Sequence, residues 1–569
     1  YGESDNRQTI TGYTLNSRVA QSLLVNRAAD GSATCQSDAN GCVPVNWFGP
    51  EGSITPEMID FLTGVSTSET SATQFQARGT ISGGAGFGSP WAAEQVSFAV
   101  GGEYRKYTAE SLSDSLSASG DLGGAGGANP NVSGGYDVVE AVGEVILPLV
   151  SDRPGFQTLQ LEGGLRYSDY RVDAPSSPSY STTTWKVGGR WEPVYGVTIR
   201  GVFNRAVRAP NIDELFRPVN TLLTNLSDDP CASLDDAGAS LGRPTPTGTL
   251  RAVCLAQGAP AGTIGAISQP TSGQANYTGG GVLTLQPETS DSWSVGTILQ
   301  PDFLPGFSAS VDYYNIVVKD AISEPTPGDV IAACFVSNLA VSNPACTAIR
   351  RNPIDGSLSG DQTISPGLPI SFSNNGRFET DGIDLVVNYT RDFGWFGLST
   401  SFNGNWTNKN AFNADVTSPV GSLRDCVGKY STNCGSVNGS VQPTFSWTQR
   451  TTLTFDALDV SLLWRHLSGV DYEFADDPEN AAYAGPVPSV SDEDFDFNRI
   501  GGYDIFDASL RYQHGEHLTY TLTVANLFDV DPPLVGNTIG STQQNSGNTF
   551  PSTYDPIGRR FLLGARLRF

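Results

Sequence analysis

The sequence predicts an all-β protein that forms an antiparallel transmembrane β-barrel, and three observations lead to this prediction. Its last residues, Arg559–Phe569, alternate strictly, with apolar side chains at the odd positions from 561 to 569 and, apart from Leu562, glycine or arginine between them. The connections between such segments alternate between short turns and long loops, as in outer-membrane barrels. No run approaches the roughly 18 apolar residues of a transmembrane helix, so a membrane would be crossed by strands.

Alternating segments of the same kind recur towards the N-terminus. In 506–512, 518–524 and, apart from Leu463, 460–465, apolar residues alternate with Asp, Ser, Thr or Arg, and aromatic residues stand near many strand ends. Such aromatic residues are typical of the girdles at the two membrane interfaces. Reading backward from Phe569 gives about fifteen strands, at 74–84, 95–107, 136–149, 157–170, 182–192, 196–208, 289–300, 306–319, 378–391, 394–406, 445–455, 459–468, 503–513, 517–527 and 559–569.

The connections fall into two length classes. Short turns are predicted at 150–156, 193–195, 301–305, 392–393, 456–458 and 514–516. Long extracellular loops are predicted at about 5–73, 108–135, 209–288, 320–377, 407–444, 469–502 and 528–558. Because bacterial single-chain barrels have even strand numbers, we expect Tyr1–Asn6 to be the top of a sixteenth strand, in a barrel that is incomplete in this chain.

The cysteines test the loop assignment independently. All eight fall in long loops, as the near neighbours Cys35 and Cys42, Cys231 and Cys254, Cys334 and Cys346, and Cys426 and Cys434. Four local disulfides are therefore predicted, which indicates an oxidising compartment. Zinc is disfavoured because there is no CxxC spacing and the three His residues lie elsewhere.

Charge and motifs exclude other classes of protein. The net charge is −26, from 33 basic and 59 acidic residues, so a nucleic-acid partner is not expected. Residues 238–242 read GASLG and fit a GxSxG nucleophile motif, but no apolar strand precedes the serine as that motif requires. The sequence therefore predicts that the protein is not an enzyme.

Several sequence blocks are more specific. The segment 204–218 reads NRAVRAPNIDELFRP, and further blocks are CVPVNWFG (42–49), LEGGLRYSDY (161–170), LQPETSDSWSVG (285–296), VDYYNIVVKDAI (311–322), ETDGIDL (379–385) and ANLFDV (525–530). Together, and in this order, they resemble the C-terminal part of the barrel of TonB-dependent outer-membrane receptors. The resemblance covers nearly the whole chain.

This resemblance implies a 22-stranded barrel with an N-terminal plug, of which the plug and the first strands are missing from this chain. All of 1–569 would then be the C-terminal part of one receptor barrel. The expected partners are outer-membrane lipid, a plug and strands supplied by the same gene or another chain, and the TonB system acting through the plug, with a surface lipoprotein as a further candidate. The expected location is the bacterial outer membrane.

The resemblance also singles out residues. Arg208, Pro210, Glu214, Leu215 and Phe216 belong to the family signature, and they either line the lumen to meet ligand or plug or simply fit a polar barrel interior. The terminal Phe569 is similar to the family's assembly signal.

Two further groups of loop residues are candidates for binding. The loop aromatics could stack on a sugar or an aromatic chelator, or pack the loops on one another: Trp47, Tyr277, Phe335, Tyr472 and Tyr483. The loop 470–498 contains nine acidic residues and no Lys or Arg, which is typical of a solvated loop. The alternative is a structural Ca²⁺ held by carboxylates such as Asp492, Asp494 and Asp496; no other metal or cofactor is expected.

The predicted function is TonB-dependent active uptake of a scarce nutrient across the outer membrane. An oligosaccharide is preferred as substrate, because the acidic outer face disfavours anionic ligands, and a ferric siderophore or a peptide remains open. The alternative from another class is a passive pore or structural barrel without energised transport.

Overall fold

The protein's strands follow from alternating polar and apolar side chains, which suit a sheet with one face in lipid and the other in water. The computed structural model describes residues 1–27, 29–176, 178–226, 228–413, 423–431, 433–435, 439–473, 484–486, 494–535 and 549–569, with the backbone alone at 484–486 and 494–496. Sixteen long strands form one antiparallel wall, in which each strand pairs with the next along the chain.

The wall strands are β1 (Gly2–Thr14), β4 (Thr63–Gly84), β5 (Ser97–Ser113), β6 (Val132–Arg153), β7 (Phe156–Val172), β8 (Ser179–Val194), β9 (Val197–Arg208), β12 (Glu288–Leu299), β13 (Phe307–Ser323), β15 (Ser373–Asp392), β16 (Gly397–Asn413), β19 (Phe445–Phe455), β20 (Leu458–Leu467), β25 (Tyr503–His514), β26 (Leu518–Ala525) and β27 (Arg560–Leu567). Each of the fifteen predicted strands overlaps one of them, and the predicted antiparallel all-β class is confirmed.

The remaining elements lie in the loops. The short strands are β2 (Val25–Arg27), β3 (Ala33–Cys35), β10 (Asn220–Asn225), β11 (Gln274–Gly279), β14 (Leu368–Pro369), β17 (Leu423–Asp425), β18 (Lys429–Tyr430), β21 (Val470–Tyr472), β22 (Ala484–Pro486), β23 (Asp494–Asp496) and β24 (Arg499–Ile500). The helices are α1 (Asn16–Leu23), α2 (Pro56–Leu62), α3 (Ser115–Ser119), α4 (Ile212–Phe216), α5 (Gly248–Ala256), α6 (Pro327–Phe335) and α7 (Pro344–Ala348). None of the helices in the described part of the chain is long and apolar enough to span a membrane.

Two rims result from the connections. On one rim the turns are short, such as 154–155, 195–196 and 456–457. On the other rim lie the described parts of the connections 15–62, 114–131, 173–178, 209–287, 324–372, 414–444, 468–502 and 526–559. We call the second rim the loop end of the wall.

The first predicted loop, 5–73, differs from the structure. Strand β1 continues to Thr14 and β4 begins at Thr63, and the two pair from Gly2↔Gln74 to Thr14↔Thr63. These strand ends carry mainly hydroxyl and charged side chains, with few apolar ones, so the hydrophobic pattern fades while backbone pairing continues. The connecting loop is accordingly 15–62.

The two faces of the wall differ, because successive side chains point to opposite sides. On β12, Trp293, Val295 and Leu299 form part of an outward apolar face and are 40–47% exposed. On the inward face, the Ser292 hydroxyl lies 2.7 Å from Asn204 Oδ1 of β9.

Aromatic side chains of the outward face form bands near both strand ends. Towards the loop end, Trp185 stacks on Phe203 with ring centroids 5.2 Å apart. Trp293 and Tyr313 continue this band at 5.1 Å. At the turn end, Phe156 lies 5.9 Å from Trp191. These bands agree with the predicted girdles at the two membrane interfaces.

Most of the buried core lies in the loops and at the strand ends next to them. One set of clusters is formed by loops 209–287 and 324–372, and another by the described parts of 414–444, 468–502 and 526–559 with the start of β25. We call these the first and second loop modules. Four disulfides join the eight cysteines in the predicted neighbouring pairs, so the disulfide prediction is confirmed.

Candidate functional site

The exit from β9 into loop 209–287 is fixed by a polar junction. Asn211 and Glu214 cap α4 reciprocally: the Asn211 side chain accepts from the Glu214 backbone N–H at 2.8 Å, and Glu214 Oε2 accepts from the Asn211 N–H at 2.7 Å. Arg208 donates to both Glu214 oxygens at 3.0 Å and to the two Glu288 oxygens at 2.6 and 3.0 Å. One guanidinium therefore ties the start of the loop to the first residue of the next wall strand.

The apolar members of the predicted signature pack beside this junction. Leu215 is buried with Val172, Leu285 and Ile322, and Pro210 is also buried. The Phe216 ring lies over Gly134 of β6, where an added Cβ would come within 2.3 Å of it. These contacts are those of a structural junction, and a meeting of the signature residues with ligand or plug stays a prediction.

The inward face of the wall carries paired charges. Arg200 of β9 reaches past Gly296 to Asp312 of β13, with two hydrogen bonds of 2.8 and 2.7 Å. Arg465 pairs with Asp507 at 3.0 Å. Both ion pairs line or adjoin an inner cavity of about 1010 Å³, so the cations there are matched by carboxylates.

A second cavity, of about 600 Å³, opens between the loop ends of β1, β4 and β5 and the first loop module. We call it the loop-side cavity. Its lining includes hydroxyl and amide groups of the wall strands and of loop 114–131: Gln8, Ser66, Ser68, Thr70, Ser111 and Asn129. Ile10, Val132 and the carboxylate of Glu110 lie among them. Hydroxyl and amide groups both donate and accept hydrogen bonds without carrying charge.

The opposite side of the loop-side cavity includes Tyr277 and Arg217. Arg217 is engaged: it pairs with Asp213 and with Glu324 at 3.2 Å, and its guanidinium stacks 4.7 Å from the Phe372 ring. Burial raises the pKa of Tyr277, with the Glu324 charge adding to the effect, so this phenol is neutral at physiological pH. Burial also raises the pKa of Glu324, although Arg217 opposes that shift.

The first loop module is held by a fully buried ion pair. Arg351 contacts Asp229 through two hydrogen bonds of 2.6 and 2.7 Å, and its Nε donates to Gln257 at 2.7 Å. Both charged side chains have no exposed surface. Together with the disulfides Cys231–Cys254 and Cys334–Cys346, this pair makes the two loops one packed unit.

The two loop modules meet at Arg424. Its guanidinium donates to Asp329 of α6 at 2.6 Å and pairs with Glu473. Burial raises the pKa of Asp329, while Arg424 lowers it. The contact joins loops 324–372, 414–444 and 468–502 at the loop end of the wall.

The predicted binding aromatics are dispersed. Trp47 is 37% exposed and donates its indole N–H to Ser22 at 3.1 Å in loop 15–62. Phe335 packs against the clusters of the first module, and Tyr472 lies 5.8 Å from Tyr430 in the second. Tyr483 lies outside the described residues. Of the predicted aromatics that the structure describes, only Tyr277 lines the loop-side cavity.

The remaining predicted residues are the Ca²⁺ candidates and the terminal Phe569. Asp492 and the side chains of Asp494 and Asp496 lie outside what the structure describes, so the Ca²⁺ alternative stays a prediction. Within the described residues no group of three His, Cys, Asp or Glu side chains could hold a metal ion. Phe569 follows β27 and is fully exposed.

The hydroxyl-lined side of the cavity was missed by sequence reasoning. Ser66, Ser68 and Thr70 fell inside the predicted loop 5–73, yet they alternate along β4 on one face. Period-two spacing of hydroxyl side chains, rather than of apolar ones, is the signal that would have found them.

Comparison with known proteins shows similarity over most of the chain. The family model described as TonB dependent receptor-like, beta-barrel matches residues 1–527. No curated protein matches the sequence. A structure of a mutant ferric enterobactin receptor from Pseudomonas aeruginosa in complex with enterobactin is similar with a TM-score of 0.52 and 15% identity, over 100% of this chain and 59% of that one.

A mutant structure of the same Pseudomonas aeruginosa receptor gives a TM-score of 0.50 at 15% identity, over 89% of this chain and 55% of that one. The chain therefore spans less than two thirds of the length of these receptors. At this identity the likeness concerns the fold.

Proposed function

Since the chain belongs to the TonB-dependent receptor family, in its β-barrel part, we propose that it forms the wall and outer mouth of a receptor for active nutrient uptake. Proteins of this family are β-barrels of the outer membrane, and so is this one. Its sixteen-strand wall, with an apolar outer face and a polar inner face, supports the proposal. The family consists of transporters, in line with the prediction that the chain is not an enzyme.

The proposed substrate is a neutral, hydroxyl-rich molecule, with an oligosaccharide as the leading class. The observation that carries this proposal is the lining of the loop-side cavity, a space of about 600 Å³ to which Tyr277 and a set of hydroxyl and amide groups contribute. A neutral aromatic ring suits stacking on a sugar, and the surrounding hydroxyls suit hydrogen bonding to it. A ferric siderophore or a peptide would instead need matching charge, and Arg217 is already engaged by two carboxylates.

The proposed energy source is the TonB system, acting through an N-terminal plug. The family membership supports this partner. A surface lipoprotein is a further candidate partner, for delivery of substrate to the loop modules. The enterobactin named for the similar receptor is a ligand of that protein.

Calorimetric binding to the native protein, purified from outer membranes, tests the substrate class. The probes are a maltooligosaccharide and a cellooligosaccharide series, ferric enterobactin and a tripeptide mixture. We expect an oligosaccharide to bind, and Tyr277→Ala to weaken that binding about tenfold, or about 1.4 kcal/mol. Tyr195→Ala is the matched control, since Tyr195 is an exposed tyrosine on the short-turn rim.

Other results would revise the proposal in defined ways. Binding of ferric enterobactin or of a tripeptide alone would move the substrate to that class. Equal weakening of oligosaccharide binding by Tyr277→Ala and Tyr195→Ala would show that the loop-side cavity is not the binding site. If no probe binds saturably, and all probes diffuse across membranes that contain the protein, the passive pore would be favoured.

A further inference from the structure

The outward face of the wall carries charged side chains just beyond the aromatic band of the loop end. Arg205 of β9 donates to Asp291 of β12 through hydrogen bonds of 2.7 and 3.1 Å, and Lys319 of β13 donates to the same carboxylate at 3.1 Å. Arg205 and Asp291 each lie two residues nearer the loop end than the outward Phe203 and Trp293 of the same strands. Two cations therefore flank one carboxylate on the membrane side of the barrel.

The neighbouring strands repeat this arrangement. Arg377 of β15 contacts Glu379 through its Nε at 2.7 Å and its Nη2 at 2.6 Å. Lys409 of β16 pairs with the other oxygen of Glu379. We call the two groups, Arg205–Asp291–Lys319 and Arg377–Glu379–Lys409, the outer triads.

Strand register sets the spacing of the outer triads. Asp291 lies opposite Val317, and Val317 lies opposite Glu379, so the two carboxylates are two strands apart on one face. This is a distance of about 10 Å, and the triads lie about 7 Å beyond Trp293 along the strand direction. Aromatic girdles mark the membrane interface, and long loops face the exterior. The triads therefore lie at the depth of the outer-leaflet headgroups.

Charge at the outer triads contrasts with the rest of the molecule. With the neighbouring Asp381, which lies opposite Lys409, the two triads together have four cations and three carboxylates, in a chain whose net charge is −26. The four cationic side chains are 31–48% exposed, so they can meet a further anion. The nearby Asp381 is buried and is bound by the Tyr313 hydroxyl at 3.1 Å and the Asn408 amide at 2.9 Å.

We propose that the outer triads bind phosphate groups of glycolipid headgroups in the outer leaflet. Guanidinium and ammonium groups are the usual donors to phosphate in proteins. The two triads provide two such sites, side by side, above a band that packs against acyl chains. The carboxylates hold the four long side chains in place, and the excess of cations over carboxylates in the two triads together attracts phosphate. This inference concerns the membrane surface and does not depend on the transported substrate.

Titration by native mass spectrometry tests the proposal on the native protein in detergent with EDTA. The probes are lipid A and its dephosphorylated form. We expect lipid A to bind, and each cation removed to weaken binding about fivefold, the effect typical of a Lys or Arg near an anionic surface. Arg205→Gln with Lys319→Gln should therefore weaken it by about 25-fold, and Arg377→Gln with Lys409→Gln similarly.

Two variants separate this role from ordinary strand stabilisation. Asp291→Asn keeps both cations and removes one negative charge, so it should bind lipid A as tightly as the unmodified protein or more tightly. Arg153→Gln with Arg391→Gln removes two cations at the short-turn rim and should leave binding unchanged. Equal binding of dephosphorylated lipid A, or weakening by Asp291→Asn as large as that of the double cation variants, would overturn the proposal.

Discussion

At the scale of single residues, the wall depends on a glycine that lets charges pair across a strand. Arg200 and Asp312 belong to β9 and β13, with β12 between them, and Gly296 stands opposite both in the register. A Cβ at Gly296 would lie 1.9 Å from Asp312 Oδ1 and 2.8 Å from the Val311 carbonyl oxygen. The ion pair and a side chain at position 296 exclude one another.

Gly296→Ala should therefore destabilise the wall by about 1–3 kcal/mol, the range found for overpacked sites. The measurement is the temperature at which the barrel loses its compact migration in gel electrophoresis. Gly79→Ala is the matched control, because a Cβ at Gly79 of β4 meets no atom within 4 Å. If this temperature falls equally for Gly296→Ala and Gly79→Ala, the loss of stability comes from strand propensity rather than from the Arg200–Asp312 pair.

A second residue-scale prediction concerns the buried pair of the first loop module. Arg351→Met leaves the Asp229 carboxylate buried without its cation, which typically costs about 3–5 kcal/mol. Hydrogen exchange in 228–286 should accelerate, while exchange in the wall strands stays unchanged. Adding Asp229→Asn to Arg351→Met should restore much of the protection, because the uncompensated charge is then removed.

The control for this prediction is the exposed pair Arg243–Asp228, whose side chains are 45% and 58% exposed in the same loop. Arg243→Gln should change the free energy of loop opening by less than about 1 kcal/mol. Similar effects of Arg351→Met and Arg243→Gln would contradict the assigned role of burial.

At the scale of elements, strands and loops are stabilised by different means. The wall is held by strand pairing, whereas the loop modules are held by buried clusters and disulfides. The cysteines of three disulfides are buried in the clusters of the loops. Cross-links of this kind stabilise the loops they close.

Reduction of the disulfides should therefore loosen the loop modules and weaken ligand binding while the wall stays folded. Far-ultraviolet circular dichroism and heat-modifiable migration report on the wall, and hydrogen exchange in 228–256 and 330–350 reports on the loops. Loss of the β signal on reduction, before any change in those loops, would show that the wall itself depends on the cysteines.

The sequence was informative for elements that alternate apolar and polar residues and less so elsewhere. Strands such as β26, Leu518–Ala525, follow directly from period-two hydrophobicity, and the disulfides follow from near-neighbour cysteines. The hydroxyl-rich ends of β1 and β4 fall in the predicted loop 5–73. They pair through backbone hydrogen bonds, and their side chains show no period-two hydrophobicity that would have predicted a strand. The loop-side cavity joins β1, β4, β5 and 209–287, which are distant in sequence, so only the fold could assemble it.

At the scale of the whole molecule, the balance of positive and negative side chains differs from one surface to another. The inner wall pairs its cations with carboxylates, the loop-side cavity is lined mainly by neutral groups, and the outer triads retain excess positive charge. This sorting agrees with the two proposals, a neutral polar ligand at the loop-side cavity and anionic headgroups at the outer triads. It is a property of the assembled wall, because neighbouring residues of one strand contribute to opposite faces.

Uptake of a labelled ligand is the measurement that tests the central claim most directly. The ligand is the oligosaccharide identified by calorimetry, supplied in labelled form to cells that express the protein. Its accumulation is compared between paired strains with and without TonB. The account predicts that accumulation falls without TonB to the level of cells that lack the protein. Equal accumulation in both strains would contradict energised transport and favour a passive pore.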